Sequence, residues 1–425
     1  MFEKAQAYAN ISPDPLDNGS FVQSAARADL EMCGSALEHK STNKVVFRET
    51  IFESEPYGEN RVTTFAGTER LLHRFGIAIP IILAPMAGTG TTALAAAVSN
   101  AGGLGSLAVG AMDPEAARRA IRELRELTSK PFNVNVFAHV SPMPDLDRET
   151  RWIKFLASFF EELGSTPPAR LTEIYRSFVA DDAMLEVLLE ERPRVVSFHL
   201  GLPSRERITV LREAGIILFA TATSVEEAQA IEGAGVDVIV AQGIEAGGHR
   251  GVFDPTAHSD EALSTLALVS RLVRRTSLPV VAAGGIMDGA SIAATLAAGA
   301  QAAQLGTAFL RTPESAADST YRAALIDPSA RTELTAAISG RPARCIANRF
   351  TEAGRQLGGV AIPDYPVAYD AGRALHAAAA AIGNSQFSVH WAGQGLALSR
   401  DMPAAQMVNV LAEELRRAAP TLCPH

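Results

Sequence analysis

Cysteine is scarce in this chain. Cys33, Cys345 and Cys423 are the only three among 425 residues. None stands in a C-x-x-C pair, so neither a disulfide scaffold nor a thiolate zinc site is indicated, and each reads as a small buried or incidental residue. Basic runs are missing too. The net charge of −9 and the pI near 5.6 argue against a nucleic-acid partner, because phosphate contacts need clustered Lys and Arg. No apolar stretch approaches the ~18 residues of a membrane span. The strand-like Ile77–Leu83 is short and holds Pro80. The N-terminus shows no basic region followed by an apolar run. The low cysteine count fits a reducing cytosol, and a cytoplasmic protein is expected.

What is present is a repeated pattern. Residues 1–63 read as a polar, mobile extension with one short helix around Ser24–Leu37. From Thr64 the order becomes strand, glycine, helix, again and again. Strands are expected at Ile79–Ala84, Gly103–Val109, Phe132–Phe137, Arg194–Leu200, Ile216–Ala220, Asp237–Ala241, Leu278–Ala283 and Ala302–Leu305. They are rich in Val, Ile and Ala, as strands of a buried parallel sheet should be. Asp113-Pro114 supplies an N-cap and a first-turn proline for the helix ending near Leu127. Residues 139–191 are an enlarged third βα segment, with helical stretches at Asp147–Glu162 and Leu171–Glu191. Such an insertion covers a substrate site.

Eight strands with intervening helices predict an α/β fold, a (β/α)8 TIM barrel over residues 64–312. A mostly helical C-terminal region, 313–425, is expected to pack on it. A doubly wound sheet would need a nucleotide-binding glycine turn after its first strand. Here that strand ends in Ala84-Pro85-Met86-Ala87-Gly88, which is not G-x-G-x-x-G.

Three strand ends carry the chemistry. The sixth strand runs into Gln242-Gly243-Ile244-Glu245-Ala246-Gly247-Gly248-His249-Arg250-Gly251. Glycine lets backbone approach a ligand, and a histidine held there can move a proton near neutral pH. The seventh strand ends in Gly284-Gly285 and the eighth in Gly306-Thr307. Strands ending in glycine and opening a helix expose N–H groups to an anion, and these two loops are the usual phosphate site of such a barrel.

Together with Ala101–Gly105, Phe132–Phe137, Ala283–Gly289, Gln304–Phe309, Asn348-Arg349-Phe350 and Trp391–Gln394, these motifs resemble the nitronate monooxygenase family. The resemblance spans Thr64 to the C-terminus and leaves residues 1–63 outside. It implies an FMN-dependent enzyme without a metal that oxidises alkyl nitronates, with nitroalkanes as a further candidate substrate, with O2 to a carbonyl compound and nitrite. It implies His249 as base or hydrogen-bond partner of the substrate. Asn135, Gln242 and Gly247 would contact the flavin, Pro85 and Met86 would underlie its ring, and Gly284, Gly285, Gly306 and Thr307 would cradle its phosphate, with Gln304 and Leu305 beside them. His199 is a candidate substrate contact or a supporting histidine. Glu245 reads as a solvated charge, with a helper of the loop as the alternative. Thr221-Ala222-Thr223 offers no cation to a phosphate. The partners implied are the nitronate and O2, with a homo-oligomer left open.

Two other functions compete. A flavin-dependent NAD(P)H reductase of the same superfamily, acting on an enoyl-acyl carrier protein or a quinone, shares the flavin loops and the histidine. The enlarged 139–191 segment favours the monooxygenase. A flavin-binding protein without turnover would not need the His249 loop. A cysteine-nucleophile barrel is disfavoured, since no cysteine stands at a strand end.

Overall fold

The computed structural model describes residues 65–256 and 260–420. The expected N-terminal extension, its helix at Ser24–Leu37, Cys33 and Cys423 lie outside the described residues. The barrel strands are β1 (Ile81–Leu83), β2 (Gly105–Ala108), β3 (Phe132–Phe137), β4 (Val195–His199), β5 (Ile217–Ala222) and β6 (Val238–Gln242). After a two-residue strand β7 (Gly248–His249) come β8 (Val280–Ala283) and β9 (Ala302–Leu305). Parallel pairing runs β1-β9-β8-β6-β5-β4-β3-β2, and a parallel bridge between Ile82 and Leu104 joins the ends. The expected (β/α)8 barrel is what the chain forms.

The two-residue period of the strands sorts the side chains. One set, including Val134, Val136, Val196, Phe198, Leu218 and Ala220, packs in the core between sheet and helices. The other set fills the interior. Near its base lie Val195, Phe219, Val238, Val281 and Ala302, clustered with Phe75 of α1 (Phe65–Phe75). The rings of Phe75 and Phe219 are 5.1 Å apart. Burying one such ring stabilises by roughly 2–3 kcal/mol, so α1 closes this end of the barrel.

Further along the strands the interior set turns polar. Asn133 Nδ2 donates to Ser106 Oγ at 3.1 Å and to Ser197 Oγ at 3.0 Å. Two residues on in each strand come Asn135 and His199, with Thr221, Gln242 and Gln304 from β5, β6 and β9. The C-terminal end of the barrel is therefore the polar end.

The crossover helices are α2 (Thr92–Asn100), α3 (Pro114–Leu127), α4 (Leu146–Glu162), α5 (Asp182–Glu191), α6 (Arg205–Glu213), α7 (Val225–Ala234), α8 (Thr265–Leu272) and α9 (Gly289–Ala297). Asp113 caps α3 by accepting from Ala116 N, with Pro114 in the first turn. The helix expected over Leu171–Glu191 forms only from Asp182. Ser177 Oγ instead donates to the His139 carbonyl at 2.5 Å, and the preceding chain carries Tyr175 to the barrel mouth.

The region beyond the barrel adds α10 (Ser319–Ala324), α11 (Arg349–Arg355), α12 (Val367–Ala381) and α13 (Ala404–Ala418). It also holds two strands that the sequence reading did not separate from helix, β10 (Thr332–Thr335) and β11 (Ala343–Ile346). They pair antiparallel, and β11 pairs with β7, setting Ala343 opposite His249. Met407, Val408, Leu411 and Leu415 of α13 enter the core around the barrel. Trp152, Leu156 and Phe160 of α4 share a second core with Ile338, Phe350, Leu375 and Phe387. The enlarged βα segment and the C-terminal region are thus one packed body on the barrel.

Candidate functional site

His249 stands at the centre of this arrangement. The residue is partly exposed, and its ring lies 5.1 Å from Tyr365, 5.2 Å from Trp391 and 5.9 Å from Tyr369, centroid to centroid. Nε2 is 3.0 Å from Ser339 Oγ. Among the described residues no protein group hydrogen-bonds Nδ1. Burial depresses the imidazole to about 3, helped by His199, Arg341 and His139, so the ring is neutral near pH 7.

Ser339 decides the tautomer. Its one hydroxyl proton has two acceptors, the Arg341 carbonyl at 3.2 Å and His249 Nε2. Given to the carbonyl, it leaves Nε2–H on His249 and a free lone pair at Nδ1. Given to Nε2, it leaves Nδ1–H as a donor.

His199 is a supporting residue here. Nε2 faces the His249 carbonyl at 3.1 Å and Nδ1 faces Thr221 Oγ1 at 3.0 Å. A carbonyl only accepts, so Nε2 carries the proton and Nδ1 accepts from Thr221. Burial depresses His199 to about 4. Gln242 closes the same loop: Nε2 donates to the His249 carbonyl at 3.0 Å and Oε1 accepts from Gly251 N at 2.7 Å. Asn135 Nδ2 donates to Ser197 Oγ at 2.9 Å and to the Ser197 carbonyl at 3.1 Å. The amides of Asn135 and Gln242, expected to face a flavin, are thereby held by protein partners.

Glu245 is not the solvated charge that the sequence suggested. Its carboxylate accepts from Thr265 N and Thr265 Oγ1, each at 2.9 Å, at the start of α8. Positive helix ends favour such a carboxylate. Its carbonyl accepts from Gln394 N at 2.9 Å. Three arginines grip the other carbonyls of this loop. Arg344 Nε donates to Ile244 O at 2.9 Å, Arg250 Nη1 to Gln242 O, and Arg341 Nη2 to Val252 O.

The glycine turns meet beside the histidine. Gly284 and Gly285 have φ of +121° and +69°, values that disfavour other residues. A Cβ on Gly284 would come 2.8 Å from Thr265 Oγ1. Gly393 N donates to Thr307 Oγ1 at 2.9 Å, and Thr307 keeps its own proton for a ligand. Pro85, Met86, Gln304, Gly306 and Thr307 are partly exposed, whereas Leu305 is buried. The structure therefore gathers nearly all the expected site residues at one end of the barrel.

Gly247 shows how tightly the loops are joined. A Cβ there would lie 2.5 Å from Gly393 N and 2.6 Å from Ala392 C. Gly247→Ala is expected to destabilise the fold by on the order of 1–3 kcal/mol and to part the loop from segment 391–395. Denaturant titration checks this. A wild-type midpoint would mean that the two segments separate freely.

Sequence reasoning missed Tyr175, Ser339, Arg341, Tyr365 and Tyr369. Tyr369 Oη accepts from Trp391 Nε1 at 3.2 Å, and Arg373 Nη1 donates to Tyr175 Oη at 3.2 Å. One signal existed. The chain has only six tyrosines, and two stand four apart at the start of one helix, Tyr365 and Tyr369.

Comparison with known proteins decides the family. The nitronate monooxygenase family model matches residues 68–414. The chain belongs to the nitronate monooxygenase family. A nitronate monooxygenase of Paraburkholderia phytofirmans is 57% identical over 358 residues, covering 84% of this chain and 98% of that protein. One of Pseudomonas aeruginosa is 53% identical over 350 residues, covering 82% and 99%. Among solved structures, nitroalkane oxidase from Streptomyces ansochromogenes matches with a TM-score of 0.74 and 44% identity, covering 82% of this chain and 98% of that one. FabK from Thermotoga maritima matches with a TM-score of 0.64 and 30% identity, covering 83% and 97%. As a nitronate monooxygenase the protein is an oxidoreductase. No described helix is long and apolar enough to cross a membrane.

Proposed function

We propose that this nitronate monooxygenase binds FMN at the polar end of its barrel and oxidises alkyl nitronates with O2 to a carbonyl compound and nitrite. The observation that carries this reading is a neutral, partly exposed His249 in an aromatic box, next to three converging glycine turns. The turns suit a phosphate. Gly284 and Gly285 lack side chains where a Cβ would meet Thr265 or Glu245, and a Cβ on Gly306 would come 3.3 Å from Ala84 Cβ. Thr307 offers a hydroxyl proton. A bound flavin would take the electrons of the substrate and pass them to O2.

The residues do the rest. Tyr365, Tyr369 and Trp391 pack around the His249 ring. A nitronate is already an anion, so no carbon acid has to be deprotonated. When Ser339 donates to Nε2, His249 presents Nδ1–H to a nitronate oxygen and orients it. When Ser339 donates to Arg341 O, Nδ1 is a weak base for a neutral nitroalkane. The depressed imidazole makes the first arrangement the productive one.

An anaerobic visible spectrum of the purified protein tests the reading. Bleaching of a flavin band by an alkyl nitronate, and not by NADH or NADPH, is expected. Bleaching by the nicotinamide alone would turn the assignment to a reductase, and a protein that cannot be loaded with FMN would sink both.

A further inference from the structure

Glu245 ties the glycine turns together. Its carboxylate takes three contacts from Thr265, the first residue of α8. The backbone N lies 2.9 Å from Oε2 and 3.1 Å from Oε1, and Oγ1 lies 2.9 Å from Oε2. A carboxylate on the N–H groups of a helix start is a strong, directed contact. Arg344, whose Nε holds the Ile244 carbonyl, also feels its charge. The Glu245 carbonyl accepts from Gln394 N at 2.9 Å.

The stem of the same side chain lies against the turn after β8. A Cβ on Gly285 would come 3.1 Å from Glu245 Cβ and 3.5 Å from its Cγ. Thr265 Oγ1 is 2.9 Å from the Gly284 carbonyl, and Gly243 N donates to Ala283 O at 2.9 Å. Gly284 and Gly285 both take positive φ. Glycines have the most backbone freedom to lose and no side chain to hold their own turn. A turn of this kind presents its N–H groups in one fixed arrangement only when something outside it supports it. Glu245 and Thr265 are that support. The charge of Glu245 by itself repels a phosphate, so its geometry and its charge act on an anion in opposite directions.

We propose that Glu245 is a positioning residue for the cofactor: its side chain pre-forms the Gly284-Gly285 turn before the flavin phosphate arrives and so sets the preference for FMN over riboflavin. This rests on the FMN reading above. Pre-forming a binding loop raises affinity by removing the ordering cost from the binding step.

The test titrates the flavin-free, full-length protein with FMN and with riboflavin, followed by flavin fluorescence. Glu245→Ala loses the support. It should raise the Kd of FMN about tenfold or more, as expected for loss of a charged hydrogen bond, and leave riboflavin little changed. Glu245→Gln keeps the support without the charge. Its Oε1 can accept from Thr265 N while its amide donates to Thr265 Oγ1, which turns its proton to the Gly284 carbonyl. FMN should therefore bind Glu245→Gln as tightly as wild type or more tightly. Hydrogen exchange in the flavin-free protein gives a second readout. Amides of residues 283–287 should exchange about tenfold or more faster in the alanine variant and at the wild-type rate in the glutamine variant.

A folded Glu245→Ala with wild-type FMN affinity and exchange overturns the proposal. So does equal weakening of FMN and riboflavin, or a glutamine variant as weak as the alanine one. If the alanine variant does not fold, Thr265→Val takes its place. It keeps the N–H and loses Oγ1, and it should weaken FMN about threefold or more while sparing riboflavin; unchanged FMN affinity there overturns the proposal. A wild type that binds FMN while these variants show no discrimination sinks this inference alone, whereas a wild type that binds neither flavin sinks the FMN reading and this inference with it.

Discussion

His249→Ala should keep its flavin and lose about two to four orders of magnitude in nitronate turnover, the usual contribution of a positioned proton-transfer or hydrogen-bonding side chain. The separation of the two effects follows from the geometry. The imidazole touches Ser339 and the rings of Tyr365, Tyr369 and Trp391. The parts of residue 249 that hold the loop are backbone: its carbonyl accepts from His199 and Gln242, and its strand pairs with Ala343. An alanine keeps both. His249→Asn should recover part of the activity by offering an amide N–H in place of Nδ1–H. Flavin content, measured by absorbance, and steady-state turnover at saturating nitronate check this. Near-normal oxidation by a folded, flavin-loaded alanine variant would remove His249 from the reaction.

Acid should destabilise this protein well above the range where carboxylates titrate. His139, His199 and His390 are depressed to about 4 and His249 to about 3, burial being the largest cause in each. In the unfolded chain these rings titrate near 6.5. Their folded values lie below their unfolded ones, so the stability they contribute is fully present above pH ~6.5 and is lost as pH falls toward the folded values. Each ring accounts for on the order of 2–3 kcal/mol between pH 7 and 4. His199 and His249 act on each other, so their shares do not simply add. Chemical denaturation at pH 7.5, 6 and 5 should show a falling midpoint. His390 offers a control, since it stacks on Tyr321 at 4.2 Å and takes no part in the proposed chemistry. His390→Phe should flatten the slope and spare turnover. A midpoint that does not change from pH 7.5 to 5 would mean that these rings are not held neutral.

The barrel was legible because its signals are local. Runs of Val, Ile and Ala, each ending in glycine, are dictated by a strand buried on both faces and a tight turn into a helix. Phe132–Phe137 and Ala302–Leu305 could be bounded to the residue. The glycine turns and His249 were legible for the same reason, since a strand that ends in a tight turn writes itself as a short motif. β10 and β11 were not. They are four residues each, too short for periodicity to separate from helix, and the pairing of β11 with β7 joins residues nearly a hundred apart. Glu245 was misread because only the docking of α8 brings Thr265 N to its carboxylate.

By itself, then, the sequence determined the fold class and which residues stand at the C-terminal ends of the barrel strands, His249 among them, because those follow from side-chain alternation and backbone freedom along the chain. Tertiary structure alone decided the environment of that histidine. Ser339, Tyr365, Tyr369 and Trp391 reach it from the C-terminal region, whose strand β11 pairs with β7. Burial makes the ring neutral, and Ser339 selects which nitrogen bears its proton. Such effects depend on what lies across space from a group, and no local pattern of residues records that.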